Sequence, residues 1–282
     1  MLFRSFEKLS LEGDYYLNRL MPADCQRALG AYETLLAGTS DNATAWAGTA
    51  LAITYGAILG EPNLQRRKPA ARVAAMHAIA LDRWAAHSQL AYGTVRGFID
   101  WRMEEAETYL ANVLDVRPSC PFALMGLTLG CWIPRGVIRQ SVDHLREAMK
   151  ASPTSLLLHY ALSMALYFDH QYGPLQTLLS KMTSLNGGPG HAAMIQSLLH
   201  LTMRDHLSEA YSSARQAEEH FGRIPPVLGL MGYITGMSGE NNEYTKIQSE
   251  LEGFATLGLS VYYERALLKL GQRKHEIGRA HV

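Results

Sequence analysis

Eleven histidines, three cysteines and two adjacent acidic pairs are the side chains of this 282-residue chain best suited to catalysis or metal binding. Their spacing does not bring them together. The histidines are scattered, with no His-Glu-x-x-His, no Cys-x-x-Cys and no Gly-x-Ser-x-Gly elbow. Glu104-Glu105 and Glu218-Glu219 are sequence neighbours in helical stretches, so each pair points in two directions and suits solvent better than acid and base work. Asn186-Gly187-Gly188-Pro189-Gly190 could cradle a phosphate on its amides only after a strand and usually with a lysine; neither stands there, and a plain turn is expected. Arg66, Arg67, Lys68 and Arg72 form a local basic cluster, read as a solvated loop and helix start. These patterns predict a non-catalytic chain with no metal and no cofactor.

Composition narrows the partners. Lys plus Arg and Asp plus Glu are both 26, so no overall field draws nucleic-acid phosphate or an anionic membrane surface, and direct nucleic-acid binding is not expected. No charged leader precedes an apolar run, and no run of about 18 apolar residues occurs, which predicts a soluble cytoplasmic segment. Cys25, Cys120 and Cys131 cannot all pair and lack metal spacing, so free thiols in a reducing compartment are expected. In that setting the Asn42-Ala43-Thr44 sequon carries no weight.

The elements that must position any site are helices. Residues 84–118 read as two amphipathic helices with a tight connection, the second placing Ala106, Leu110, Val113 and Pro118 at offsets of four, three and five. The same offsets return in Ala28, Tyr32 and Leu35, in Ala71, Ala75 and Ala78, in Ser141, Leu145, Ala148 and Pro153, and in Ala210, Ala214 and Ala217. Leu175, Leu179 and Met182 mark a further second helix, and Met231-Gly232-Tyr233 a further first helix. The unit resembles the tetratricopeptide repeat (TPR), a helix pair of about 34 residues. Ser40, Arg83 and Gly222 stand where its closing proline would be. The resemblance implies an all-α right-handed superhelix of about seven and a half antiparallel helix pairs over residues 1–276, with a concave surface lined mainly by first helices.

Candidates for that concave groove lie on the first helices away from the repeat positions: Tyr55, Ser88, Tyr92, Arg96, Met125, Trp132, His200, Arg204 and Tyr233. Tyr, Trp and Arg are favoured anchors at interfaces. The expected partner is a protein or peptide in the groove, with self-association as a further possibility.

Four stretches carry a narrower resemblance: 12–36, 41–56, 98–118 and 260–271. They are similar to the TPR regions behind bacterial winged-helix regulators of the ToxR, CadC and HilA kind, and behind some adenylate cyclases and serine/threonine kinases. The resemblance implies an interaction or regulatory scaffold, or alternatively the sensory and oligomerising part of such a regulator or signalling enzyme. No winged-helix, cyclase or kinase stretch occurs in these residues. Leu259 to Leu270 opens an eighth pair without a second helix, which predicts an exposed apolar face at Val261, Ala266, Leu267 and Leu270. Ile277 to Val282, IGRAHV, back-translates as ATC GGA AGA GCA CAC GTC, similar to a sequencing adapter. A non-native tail over 277–282, poorly ordered or only locally helical from Gly271 onward, is therefore expected.

Overall fold

In the computed structural model the backbone is described for residues 2–203 and 206–280, and side chains for residues 7–203 and 206–273. Among them every regular element is helical. Seven pairs and one closing helix follow in order: α1 (Leu2–Leu17) with α2 (Pro22–Gly38), then α3 (Ala43–Ile58) with the short α4 (Pro62–Arg66) and α5 (Lys68–Leu81). Next come α6 (Ala86–Phe98) with α7 (Met103–Val116), α8 (Pro121–Leu127) with α9 (Ile138–Ala151), and α10 (Leu156–Phe168) with α11 (Tyr172–Met182). The chain goes on with α12 (Gly188–Thr202) and α13 (Leu207–Phe221), α14 (Pro225–Ser238) and α15 (Asn241–Thr256), and finally α16 (Tyr262–Ala280).

Local chemistry explains the starts. Pro22, Pro62, Pro69, Pro121 and Pro225 sit in the first turn of their helices, where a missing N–H costs nothing. Asn42 Oδ1 accepts from Ala45 N at 2.9 Å and Glu61 Oε2 from Leu64 N at 2.7 Å, each satisfying an orphan donor of a first turn. The second cap also creates α4, which ends on Arg66 of the basic cluster; its Leu64 is fully buried. Asn186 to Gly190 is a turn only as far as Gly187, because Gly188 already opens α12. A Cβ at Gly190 would collide with His220 and Phe221, so that glycine lets α12 lie close on α13.

The chain gathers into two compact units, residues 1–178 with 185–187 and residues 179–184 with 188–282. In the first unit α1, α3, α6 and α8 each touch their own second helix and the next first helix, as α3 does with α5 and α6. Second helices bury one face only: Ala71, Ala75 and Ala78 of α5, Ala106, Leu110 and Val113 of α7, Leu145 and Ala148 of α9. First helices are buried nearly all round, and α3 exposes almost nothing from Ala45 to Ala57. Tyr32 of α2 seals three helices together. Its ring fills the space left by Gly13 of α1 and Gly48 of α3, where any Cβ would overlap it, and its hydroxyl donates to Asp14 Oδ1 at 2.6 Å. Residues 128–132 continue α8 in π geometry, with Ile133 N bonded to Thr128 O at 2.9 Å.

In the second unit, α12 packs on α13 and α14 on both α15 and α16. Val227, Leu228, Met231 and Ile234 of α14 meet Ile247, Leu251, Leu259, Val261 and Leu268 in one core. The expectation that Val261 is exposed is therefore corrected: the segment ahead of α16 turns it under α14. Leu267 is half-buried, while Ala266 and Leu270 do face outward, beside Tyr262 and Tyr263. Gly271 brings its backbone against the Tyr233 carbonyl. The backbone of α16 is helical through Ala280, and His281 and Val282 lie outside the described residues.

The turn between the two helices of a pair uses a left-handed residue in six of the seven pairs: Leu20, Gly60, Trp101, Gly136, His170 and Gly239. In the pair α12 and α13 the turn passes through Arg204 and Asp205, outside the described residues.

Candidate functional site

In the first unit, the C-terminal end of α1, the N-terminal halves of α3, α6 and α8, and the last turn of α7 enclose a cavity of about 400 Å³. Its floor is apolar, from Leu17, Leu51, Leu90, Val113 and Phe122, and its rim is polar, from Asp14, Asn18, Thr44, His87 and Arg117. Such a combination suits an apolar body held by a few oriented polar groups.

Two groups at this cavity, Tyr32 and His87, have their titration shifted by their surroundings. Burial, with Asp14 adding to it, pushes the Tyr32 phenol far up, so Tyr32 stays a donor to Asp14. Asn18 Nδ2 donates to the Asp14 carbonyl at 2.7 Å and pins the last turn of α1. His87 Nε2 lies 3.1 Å from Thr44 Oγ1. Burial holds the His87 imidazole below its ordinary value; Asp82 and Asp14 pull it up and Arg117 pushes it down. The Arg117 guanidinium has no ion pair or hydrogen bond among the described residues, and Asp14 keeps its second carboxylate oxygen free.

The groove candidates fall elsewhere. Tyr55, Ser88, Met125 and Trp132 are core residues and do not line an open face. The Tyr55 ring stacks on Phe122 at 5.7 Å and meets the Phe98 edge at 6.3 Å, and burial drives its phenol well up. Ser88 is sealed inside α6, Met125 inside α8, and Trp132 leans on His144 while donating Nε1 to Glu107 at 2.9 Å. The reason is common to all four: a first helix pressed between its own partner and the next pair has no free face to offer.

Tyr92 and Arg96 are half-buried and stay together, but their polar atoms are spent inside the fold. Arg96 donates to Tyr92 Oη at 2.5 Å and to Asp100 at 2.6 Å, and its guanidinium lies 4.6 Å from the Tyr92 ring centre. Tyr92 Oη donates to Glu105 at 3.0 Å, while Arg96 Nε approaches the same carboxylate at 3.4 Å without hydrogen-bond geometry. Arg72 of the basic cluster reaches Asp100 at 2.5 Å and Arg67 reaches Glu33 at 2.5 Å, so that cluster is partly neutralised within the fold. Burial pulls the Asp100 carboxyl up, but the bonds from Arg72 and Arg96 outweigh it and hold the group below its ordinary value.

In the second unit His200 is half-buried, 3.1 Å from Gln196 Nε2 and stacked at 6.0 Å on His206. Burial lowers its imidazole, with Glu209 pulling up and His206 pushing down. Tyr233 is half-buried on α14, and Arg204 lies outside the described residues. Among the described residues no three His, Cys, Asp or Glu side chains gather as a metal site, and no helix is long and apolar enough to cross a membrane. Cys25, Cys120 and Cys131 are free thiols; burial pushes Cys25 and Cys131 up to about 12, which leaves them poor nucleophiles.

Asp14, His87 and Arg117 were not among the sequence candidates. One signal for Asp14 was present: a tyrosine at a buried repeat position needs an acceptor for its hydroxyl, and the preceding helix must supply it. Nothing comparable marked Arg117.

No protein-family model and no curated protein matches the chain. Solved structures do. A tetratricopeptide repeat protein from Parabacteroides merdae superposes with a TM-score of 0.60 at 13% identity, over 95% of this chain and 99% of that one. The fold is tetratricopeptide-like. PilW, described as a widely conserved type IV pilus biogenesis factor, matches with a TM-score of 0.54 at 13% identity over 77% of this chain and 98% of its own. The APC/C hetero-tetramer Cut9–Hcn1 matches at 0.53 and 11% identity, over 85% of this chain and 44% of that one. At such identities the likeness establishes fold, and the resemblance to ToxR-like regulators finds no counterpart among these structures.

Proposed function

We propose that the chain is a non-catalytic interaction module that holds a segment of another protein in the cavity of its first unit. The observation that carries this reading is the cavity itself: an apolar floor with an uncommitted Arg117 and a half-committed Asp14 on its rim, on a TPR-like scaffold. Both groups are exposed, and neither spends its full charge inside the chain, so a ligand that covers the apolar floor can pair with them without breaking an internal ion pair. The Cut9–Hcn1 hetero-tetramer is an instance of this fold assembled with another protein. Balanced charge favours a protein over nucleic acid as partner, and three free thiols suit the cytoplasm.

Selection of a random peptide library on the intact chain tests the reading. Enriched peptides should lose about tenfold in affinity, roughly 1.4 kcal/mol, with Arg117→Glu or His87→Ala, while circular dichroism stays unchanged. Peptides whose binding ignores both substitutions would place the partner surface elsewhere. A regulatory role, as part of a transcription regulator or signalling enzyme, is supported by the resemblance of residues 12–36, 41–56, 98–118 and 260–271. Sequencing the gene upstream of the Met1 codon checks it, and an in-frame winged-helix, cyclase or kinase domain is the expected result.

A further inference from the structure

Three of the six described turns inside helix pairs place a side chain in left-handed backbone, where glycine is at ease and an L-residue is strained: Leu20, Trp101 and His170, with φ of 49°, 56° and 57°. Two of the three have an internal compensation. Leu20 is buried in the core of the first unit, and His170 sets Nδ1 2.7 Å from Tyr172 Oη. Trp101 has none: its side chain is 71% exposed and makes no hydrogen bond or ring contact among the described residues. A glycine would serve the turn better, as Gly60, Gly136 and Gly239 do.

The indole borders an open cavity of about 510 Å³ with Arg102, Met103, Glu104, Glu105 and Arg135. Most of the charge around it is already matched. Arg135 is paired with Glu107, and Arg102 reaches Glu105 at 3.3 Å, a carboxylate that also serves Tyr92 and Arg96. Glu104 is the exception, since its exposed carboxylate has no partner among the described residues. What remains uncommitted is one negative charge beside one bare indole face.

We propose that Trp101 and Glu104 form a docking site, separate from the α1–α3–α6 cavity, for a lysine or arginine side chain in a basic segment of a partner protein. A cation over the indole face gains from the ring quadrupole, best with Trp, and Glu104 supplies the counter-charge. An anionic or nucleotide ligand would have to take the arginines from Glu105 and Glu107.

The test measures binding of an acetylated, amidated hexa-arginine peptide to the full chain by calorimetry, with a hexa-glutamate peptide as the opposite charge. Trp101→Gly should weaken hexa-arginine binding at least tenfold and raise the thermal midpoint by about 3 °C as the strain is released. Trp101→Asn, which tolerates left-handed backbone, gives the same loss if the glycine loosens the turn. Glu104→Gln should weaken binding about fivefold with no change in midpoint, and His87→Ala should leave binding intact. The proposal is overturned by tighter binding of hexa-glutamate, by hexa-arginine affinity that ignores Trp101, by no measurable binding to the wild-type chain, or by a lower midpoint in Trp101→Gly.

Discussion

Two charged regions of the first unit, only a few turns of helix apart in sequence, are built on opposite plans. At the end of α6, Arg96, Tyr92, Asp100, Glu105 and Arg72 spend their polar atoms on one another. At the start of α6, His87 faces a cavity whose rim keeps Arg117 and one oxygen of Asp14 unspent. The first arrangement fastens α6 to α5 and α7; the second leaves electrostatic capacity for something outside the chain. A charged side chain in a repeat thus says little about binding until its internal partners are counted.

The contrast can be broken or sharpened by experiment. The largest effect is expected at Tyr32, whose ring holds α1, α2 and α3 together from beneath the cavity. Tyr32→Ala should cost about 4 kcal/mol in urea unfolding, in the range for large aromatic truncations, and remove peptide binding with it. A loss below about 1 kcal/mol would mean that the three-helix seal is not what supports the rim. Next come the two arginines. Arg96→Ala should destabilise by about 2 kcal/mol, because Asp100 and Glu105 lose a charged donor. Arg117→Ala should stay within about 0.5 kcal/mol, as surface changes without partners do. Equal losses at the two positions would erase the distinction between them.

The smallest effect concerns pH. His87 has its folded value below the unfolded one, so the unfolded chain takes up a proton first as pH falls. Its contribution to stability is complete above the unfolded value of about 6.5 and declines as pH drops below it. The urea midpoint of the wild-type chain should therefore fall slightly more than that of His87→Gln between pH 7 and 5.5. Parallel curves would show that His87 is already free in solution.

The helix pairs were legible in the sequence because second helices have one buried face, and Ala106, Leu110 and Val113 or Ala210, Ala214 and Ala217 print that face at fixed offsets. The first helices print no such direction. From Ala45 to Ala57 almost every side chain is buried, so an outward face could not be chosen from periodicity, and Tyr55, Ser88, Met125 and Trp132 were assigned to a surface that their helices lack. Tyr92 and Arg96 stand one turn apart on α6, and the carboxylates that absorb them, Asp100 and Glu105, sit in the next turn and helix. Arg117 could not be found because its distinguishing property is the absence of a neighbour, which only a three-dimensional arrangement reveals. Val261 was misjudged for a related reason: it precedes α16, and the direction of entry into that helix, not its periodicity, buries the side chain.

The π segment at Thr128–Trp132 has a consequence for how this chain can change length. A π turn is an α-helix carrying one surplus residue, and here the surplus is absorbed just before Ile133. Deleting a single residue between Thr128 and Trp132 would restore ordinary winding upstream while leaving the following turn at Gly136 and all of α9 in place. Most single-residue deletions in a helix rotate everything beyond them by about 100°. At this point the molecule holds a spare residue, so a change in length that would wreck α3 or α10 should be absorbed locally, and the residues flanking it, Cys131 and Trp132, would be the ones to exchange interior positions.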